Sequence, residues 1–290
     1  MAQPSTSVML GLPVRTITSR HNPVVAQFRA AERCRRTARR HVLLDGVRLI
    51  TDAYRAGVPL EMAVFSIGSL RRQDATLQRL VRHLESSGVE VVAASASAIE
   101  AMSPVRSPSG AVALAQHQPV TIHDVFAHPG FVFAAMGVQD PGNVGAIVRA
   151  AEAGGASGVL VTGTSADPFG WKALRGAMGS TFRLPVVDAG DLGVVVEAAR
   201  ARDATVLAAV PHGGESLYEV DLRGSQLVLI GGEGGGLDAA SSALADRRVS
   251  IPMQNKVESL NTSVAAALIV YEARRQQTSH TRRRRSEEVQ

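Results

Sequence analysis

Short aliphatic runs separated by helix-length segments recur through the second half of the chain. The runs predict strands at residues 131–136, 158–162, 184–187, 205–209, 226–230 and 249–251. The intervening segments predict helices at residues 144–153, 172–178 and 192–201, and a further helix follows at 260–275. Strands that alternate with helices form a parallel sheet covered on both faces, and ligands bind beyond the carboxyl ends of its strands. The loops at those ends are therefore where function is expected.

The first half of the chain repeats this alternation with shorter elements. Helices are predicted at residues 23–40, 47–56 and 73–86, and strands at 41–44, 63–67, 89–93 and 111–115. We predict an α/β protein with a small α/β/α domain at 14–115, a linker at 116–129 and a Rossmann-like parallel-sheet domain at 130–276. Residues 1–13 are expected to be disordered, and 277–290 to form a flexible basic tail.

Positive charge is concentrated in the N-terminal region and the tail. Residues 1–60 contain ten arginines and three acidic residues, whereas the whole chain has a net charge of only +5. Such clustering favours a polyanion partner, although a general preference for arginine would also produce it. The candidate phosphate contacts are Arg20, Arg33, Arg35, Arg36, Arg39 and Arg40.

Composition excludes several classes of protein. The one cysteine, Cys34, rules out a disulfide framework and a multi-cysteine metal site, and no metal is expected. The longest apolar run, residues 264–271, is far too short to span a membrane. The first residues do not resemble a signal peptide, so we expect a cytoplasmic protein.

The first of three distinctive loops follows the strand at 131–136. A Pro141-Gly142 turn opens a helix there, and Asn143 is predicted at or near its cap. Arg149 lies six residues further on, about 600° around the helix, so the two side chains should meet different partners. Alternatively, Asn143 only caps the helix and Arg149 is a surface cation.

The second loop, residues 231–236, has five glycines in six residues around Glu233. Glycine is costly to order, so such a run indicates backbone that must approach a bound group, or else a flexible loop with an incidental acid. Leu237 breaks the dinucleotide-binding pattern, and the chain has no phosphate-binding GK[ST] string. An unrelated nucleotide-binding enzyme is therefore disfavoured.

The third loop, residues 251–263, leads into the last predicted helix. Ser259, Asn261 and Ser263 cluster at its start, although one cap residue would suffice. The extra polar groups predict a polar pocket at the helix N-terminus.

Together, the three loops resemble the motifs of the SpoU/TrmH branch of the SPOUT methyltransferases. The matching strings are Asp140-Pro141-Gly142-Asn143-Val144-Gly145 through Arg149, Ile230-Gly231-Gly232-Glu233-Gly234, and Ile251-Pro252-Met253 with Glu258-Ser259-Leu260-Asn261. The likeness covers about residues 130–276. The string Ile17-Thr18-Ser19-Arg20-His21-Asn22-Pro23 also resembles the start of the family's small RNA-binding domain. Two residues depart from the pattern: Thr262 replaces a common valine or alanine, and Gln277 a frequent arginine.

This resemblance implies a C-terminal domain with a deep trefoil knot that binds S-adenosyl-L-methionine and methylates a ribose 2′-hydroxyl in RNA. The implied cofactor-binding residues are Gly231, Gly232, Gly234, Ile251, Met253, Leu260 and Ser263. The implied catalytic residues are Arg149, Asn143, Glu233, Ser259 and Asn261. A guanidinium is a poor base, so we expect Arg149 to position the substrate.

The resemblance also implies a homodimer formed through the knotted domain. Ribosomal RNA is the expected substrate, because a separate recognition domain suits a large structured RNA, and tRNA is the alternative. Methylation of a base nitrogen and a non-catalytic RNA-binding relative remain further readings.

Overall fold

The computed structural model describes residues 6–9, 12–34, 39–72, 74–254 and 256–287, with side chains between residues 15 and 279. The chain divides into two compact units. The first comprises Met1–Gln118 and Phe169–Leu174, and the second comprises Pro119–Pro168 and Arg175–Gln290.

A six-stranded mixed sheet forms the centre of the first unit. Its strands are β1 (Thr6–Met9), β2 (Leu12–Ile17), β3 (His41–Asp45), β4 (Leu60–Ser66), β5 (Glu90–Ala94) and β6 (Ala111–Gln116). They lie in the order β1-β2-β5-β4-β6-β3, with β2, β5 and β4 parallel and the other pairs antiparallel. The expected small α/β domain is thus present, with its parallel strands in the middle.

Helices cover both faces of this sheet. They are α1 (Pro23–Arg33), α2 (Val47–Arg55), α3 (Ile67–Arg71), α4 (Ala75–Ser86) and α5 (Ala96–Met102). Helix α1 begins where the Asn22 side chain accepts the Val24 amide and Pro23 occupies the first turn. Helices α1 and α5 share one apolar core around Phe28 and Ile99, whereas α2 packs against α4 elsewhere on the sheet.

The second unit is built on a sheet of seven parallel strands. They are β7 (Phe131–Met136), β8 (Gly158–Thr162), β9 (Val186–Gly190), β10 (Thr205–Ala209), β11 (Glu215–Ser216), β12 (Gln226–Gly231) and β13 (Arg247–Ser250). Their order is β11-β13-β10-β12-β7-β8-β9. The chain runs outward from β7 to β9 and then returns to the other side of β7, so the strand order reverses between β7 and β12. Ligands bind at such a switch point, beyond the carboxyl ends of the strands.

Helices flank this sheet as well. They are α6 (Ile122–Val125), α7 (Pro141–Gly154), α9 (Leu192–Arg200), α10 (Ala239–Ala243) and α11 (Thr262–Glu287), with a 3-10 helix at Ser180–Phe182. A further helix, α8 (Trp171–Ala177), begins in residues of the first unit and ends in residues of the second. Helix α9 joins α6 in one core, while α7 and α11 pack along each other. A Cβ on Gly154 would lie 2.5 Å from the Val270 side chain, so only glycine allows the two helices to approach so closely.

A buried carboxylate anchors the middle of α11. Glu272 is 7% exposed and accepts hydrogen bonds from Arg275 at 2.7 and 2.8 Å and from Gln276 at 2.9 Å. The Arg275 guanidinium lowers the pKa of Glu272, against the opposing effect of burial. Gln276 in turn bonds the backbone of Val220 and Leu222, which ties α11 to the segment before β12.

Several sequence-based boundaries are wrong. Strand β1 and the start of β2 lie where disorder was expected. The helix predicted over residues 23–40 ends at Arg33. Helix α11 runs to Glu287, so the expected flexible tail is helical as far as the structure describes it. The predicted linker contains α6, whose last residue Val125 is buried in the core of the second unit together with the following Phe126.

The described residues include no helix long and apolar enough to cross a membrane. Among the same residues, no group of three or more His, Cys, Asp or Glu side chains is arranged to hold a metal ion.

Candidate active site

Strand pairing brings the first two loops into contact. Strands β7 and β12 are parallel neighbours, and Met136 pairs with Gly231 at their carboxyl ends. A Cβ on Gly232 would lie only 1.8 Å from the carbonyl oxygen of Gly137. Glycine at 232 is therefore required for the two loops to touch.

Side chains extend this contact into a hydrogen-bonded network. Asn143 donates from Nδ2 to Oε1 of Glu233, and the Gln139 amide donates to Oε2 of Glu233 at 3.3 Å. The carboxylate of the glycine-rich loop thus binds both the turn before α7 and the first turn of α7.

The third loop joins the same network through Asn261. Its Nδ2 donates to Oδ1 of Asn143 at 3.1 Å. Its Oδ1 accepts from the amides of Ser263 and Val264 and from the Ser263 hydroxyl at 2.6 Å. Asn261 is thus the cap of α11 and a link to α7 at once. We call the connected set Glu233, Asn143, Asn261 and Ser263 the loop junction.

Asn143 is available for the loop junction because another residue caps α7. The Asp140 side chain accepts the Gly142 amide at 2.7 Å, and Pro141 starts the helix. Placing Asn143 at the cap was therefore wrong by three residues. As the third residue of the helix it projects its amide toward the other two loops.

Thr262 provides a contact that sequence reasoning missed. Thr262 is 7% exposed, and its hydroxyl donates to the carbonyl oxygen of Gly231 at 2.9 Å. The valine or alanine common in the family cannot make this bond, so the departure from the pattern was the available signal.

Ser165, also missed, braces the first loop from the other side. Its buried hydroxyl accepts the Val138 amide at 3.0 Å and donates to the Thr162 carbonyl at 2.7 Å. Nothing in the sequence around Ser165 distinguishes it from an ordinary loop serine.

The glycines of the second loop divide into two groups. Gly231 and Gly232 are packed against backbone, since a Cβ on Gly231 would lie 2.1 Å from the carbonyl carbon of Gly236. Around Gly234, Gly235 and Gly236, by contrast, no atom lies within 4 Å of an added Cβ. The loop closes on itself where the Gly236 amide donates to the Gly232 carbonyl at 3.3 Å. Its outer half is therefore exposed backbone beside open space.

These features fit an uncharged, partly apolar ligand such as the adenosyl part of S-adenosyl-L-methionine. Exposed glycine backbone offers donors and acceptors without side chains in the way. The third loop adds Ile251, Met253 and Leu260, all half-buried, as apolar surface. Small-molecule sites commonly combine such apolar walls with a few backbone polar groups.

Two predicted catalytic residues stand apart from the loop junction. Arg149 and Ser259 are exposed, and neither side chain has a hydrogen bond or ion pair with any residue that the structure describes. Asn143 is thus part of the loop junction and Arg149 is not, and the different partner expected for Arg149 stays a prediction.

The predicted RNA-binding arginines vary in setting. Arg20, Arg33 and Arg40 are exposed, while Arg35 and Arg36 lie outside the described residues. Arg39 is half-buried, donates to the Phe169 carbonyl at 3.3 Å and lies 6.0 Å from the centre of the Phe169 ring. Arg39 is thus already engaged within the first unit.

Comparison with known proteins bears on this site. The sequence profile of the SpoU rRNA methylase family matches residues 130–271, which contain all three loops. A Bacillus subtilis relative, a 23S rRNA (guanosine(2553)-2′-O)-methyltransferase, is 32% identical over 82% of this chain and 90% of its own length. A Streptomyces viridochromogenes 23S rRNA (uridine(2479)-2′-O)-methyltransferase is 32% identical over 91% of this chain and 93% of its own.

Comparison of folds gives the same family as comparison of sequences. The crystal structure of the SpoU methyltransferase AviRb from Streptomyces viridochromogenes, in complex with the cofactor AdoMet, superposes with a TM-score of 0.77 at 30% identity. It covers 89% of this chain and all of the other. Since the likeness extends over both units and includes the three loops, the chain belongs to the SpoU methylase family.

Proposed function

We propose that this protein transfers a methyl group from S-adenosyl-L-methionine to a ribose 2′-hydroxyl of ribosomal RNA. The loop junction carries the proposal, because it joins the three family motifs at the switch point of the sheet. The relatives named as 23S rRNA 2′-O-methyltransferases support both the reaction and the RNA class. Large-subunit ribosomal RNA is therefore preferred to tRNA.

Residues of the second and third loops bind the cofactor. The exposed backbone of Gly234 would hold the adenosyl group, and Gly231 and Gly232 would fix the loop that presents it. Ile251, Met253 and Leu260 would supply its apolar surroundings. Ser263 contributes through its hydroxyl, which now bonds Asn261. When bound, S-adenosyl-L-methionine supplies an activated methyl group, so the protein needs to bind, orient and exclude water.

The loop junction fixes the geometry of the site before RNA arrives. Each of its amides uses one donor and one acceptor within the network, which leaves the second hydrogen of Asn143 Nδ2 and of Asn261 Nδ2 for substrate. Ser259, an exposed residue that precedes Asn261 by two positions, can accept a hydrogen bond from the same ribose or donate one to it. Fixed polar groups lower the barrier because they need not reorganise during the reaction.

In this proposal Arg149 positions the RNA and does not remove the proton of the target 2′-hydroxyl. A guanidinium stays protonated at neutral pH, so it is suited to clamp the phosphate beside the target ribose. Its exposure and its lack of a partner among the described residues leave it free to do so.

The C-terminal segment forms a trefoil knot in this proposal. Support comes from the contacts of the stretch between β13 and α11: Asn261 reaches Asn143, and Thr262 reaches Gly231. One short segment therefore contacts two loops whose residues Asn143 and Glu233 are 90 positions apart in the chain. A chain end threaded between those loops would make such contacts.

A homodimer formed through α11 also belongs to the proposal. Val264, Leu268 and Tyr271 are 47%, 41% and 53% exposed and recur at i, i+4 and i+7, so they form one apolar stripe. An exposed stripe on an otherwise packed helix suits a self-complementary interface. Sedimentation of the wild-type chain and of Leu268→Glu tests it: a dimer that the charge dissociates is expected, and a wild-type monomer contradicts it.

Methyl transfer to unmodified RNA tests the reaction itself. The protein is incubated with S-adenosyl-L-methionine carrying a labelled methyl group and with ribosomal RNA or, separately, tRNA, and the nucleosides are analysed. A 2′-O-methylated nucleoside from ribosomal RNA is expected. A methylated base would contradict the ribose assignment, label in tRNA alone would contradict the RNA class, and absence of both transfer and cofactor binding would contradict the proposal. The expected cytoplasmic location stays a prediction.

A further inference from the structure

The first unit contains a groove that none of the three loops accounts for. It has a volume of about 750 Å³ and lies between α2 and residues at the end of α3 and the start of α4. We call it the α2–α4 groove. Of the arginines that the sequence predicts to bind RNA, those that the structure describes do not line this groove. Arg33 lies on α1 and Arg20 precedes it, and α1 packs against α5.

The wall formed by α2 alternates in charge. Arg48, Asp52 and Arg55 line the groove at i, i+4 and i+7, so they form one row on the helix surface. Arg72 lines the groove from the end of α3, opposite this row. The groove therefore presents three guanidinium groups around one central carboxylate on α2.

The α2 arginines have no side-chain partner in the part of the chain that the structure describes. Both Arg48 and Arg55 are exposed, and their side chains make no hydrogen bond or ion pair with any described residue. Arg15, in the same unit, shows the contrasting arrangement, since it pairs with Glu90 at 3.0 Å. Arg48 and Arg55 are thus free to bind an external anion.

On the other side of the groove, Arg72 and Asp74 already have hydrogen-bond partners within the protein. Arg72 donates to the Ser69 hydroxyl at 3.2 Å, and Ser69 is only 8% exposed. The second carboxylate in the groove, Asp74, is occupied by the start of α4, where it accepts the amides of Thr76 and Leu77 at 2.9 and 2.8 Å. Asp52 is therefore the carboxylate in the groove that remains available as an acceptor.

We propose that the α2–α4 groove binds the ribose–phosphate backbone of the RNA substrate, with Arg48, Arg55 and Arg72 contacting phosphates and Asp52 accepting a ribose 2′-hydroxyl. A lone phosphate would meet repulsion from Asp52, whereas an RNA backbone alternates phosphates with hydroxyl donors. This inference rests on the proposed function, because it assumes an RNA substrate.

Equilibrium binding of a ribosomal RNA transcript at several salt concentrations tests the inference. Arg48→Ala combined with Arg55→Ala should lower the slope of log affinity against log salt by about two, one for each lost phosphate contact. The KM for RNA should rise, whereas kcat and the affinity for S-adenosyl-L-methionine should not change. Arg82→Ala, an exposed α4 arginine outside the groove, is the matched control. The proposal is overturned if the double variant changes the salt slope by no more than twice the change that Arg82→Ala causes.

Asp52→Ala tests the ribose contact through the sign of its effect. If Asp52 only repels phosphate, its removal tightens RNA binding. If it accepts a 2′-hydroxyl, binding weakens, by about tenfold or more for one hydrogen bond to a charged group. Weaker binding is expected, and tighter binding contradicts the ribose contact. Thermal unfolding of each variant checks the fold. Because RNA binding is measured directly, failure of the groove variants is distinct from failure of methyl transfer by the wild-type protein.

Discussion

The loop junction and the α2–α4 groove both present polar side chains, but in opposite states. In the loop junction, Asn143 and Asn261 are hydrogen-bonded to each other and to Glu233 or Ser263. In the groove, Arg48 and Arg55 bind no described residue. Polar groups that position reacting atoms benefit from being fixed in advance, whereas groups that capture a backbone can exchange water for phosphate on contact. The two regions therefore should respond differently to mutation: cooperatively in the first and independently in the second.

Arg149 is the sharpest test of this distinction. It lies near the loop junction in sequence but, like Arg48 and Arg55, has no side-chain partner among the described residues. We expect Arg149→Ala to reduce methyl transfer about a hundredfold or more, since it removes a charged contact at the reacting ribose. Cofactor binding, measured by calorimetry, should change little. Arg202→Ala, an exposed arginine after α9, is the control. Full activity of Arg149→Ala would remove Arg149 from the site.

The tight backbone of the loop junction is tested by a pair of glycine variants. Gly232→Ala places a methyl group against the Gly137 carbonyl and should cost about 2 kcal/mol or more in the free energy of unfolding. Gly235→Ala, in the same loop, meets no atom within 4 Å and should change stability by less than about 1 kcal/mol. Urea unfolding of both variants measures the difference, and equal effects would mean that the two loops can separate freely.

Cooperativity in the loop junction is measured by a double-mutant cycle. Asn143→Ala and Asn261→Ala should each lower kcat/KM, but the double variant should lose less than the sum, with a coupling of about 1 kcal/mol. Asn143→Ala combined with Ser259→Ala is the control, because Ser259 has no hydrogen bond to Asn143. Additive losses in both cycles would show that the network does not act as a unit.

The ion pair between buried Glu272 and exposed Arg275 on α11 provides the smallest expected effect. Because Arg275 lowers the pKa of Glu272 in the folded state, the ionised pair stabilises the protein above the pKa of Glu272 in the unfolded chain. This contribution is lost as the pH falls through the lowered pKa. The difference in unfolding free energy between wild type and Glu272→Gln should therefore shrink on acidification. Glu197→Gln, exposed on α9, should show no such trend.

Sequence patterns predicted the strands best where the chain is buried on both faces. β7, β8 and β10 begin and end at the predicted residues, because each is a short aliphatic run. β1 and β2 escaped prediction since their residues, among prolines and serines, lack such a run. The tail was misjudged because four consecutive arginines resemble a solvated segment even when the helix before them continues.

The residues of the site were predictable, but their contacts were not. Asn143, Glu233 and Asn261 were recognised from motif strings, whereas their direct bonds depend on the order of strands in the sheet. The glycine run indicates either ligand-facing backbone or a flexible loop, whereas Gly231 and Gly232 are required by close contact with neighbouring backbone. Pairwise distances of this kind are properties of the folded chain and leave no local pattern.

The long reach of Asn261 has a consequence for how the protein is made. Its partner Asn143 precedes it by 118 residues, and Thr262 bonds a glycine 31 residues earlier. A nascent chain that has emerged only as far as β13 therefore contains two of the three loops but no loop junction. The sheet can assemble during synthesis, whereas the site becomes complete only when the start of α11 has left the ribosome, so the protein cannot modify ribosomal RNA as a partly made chain.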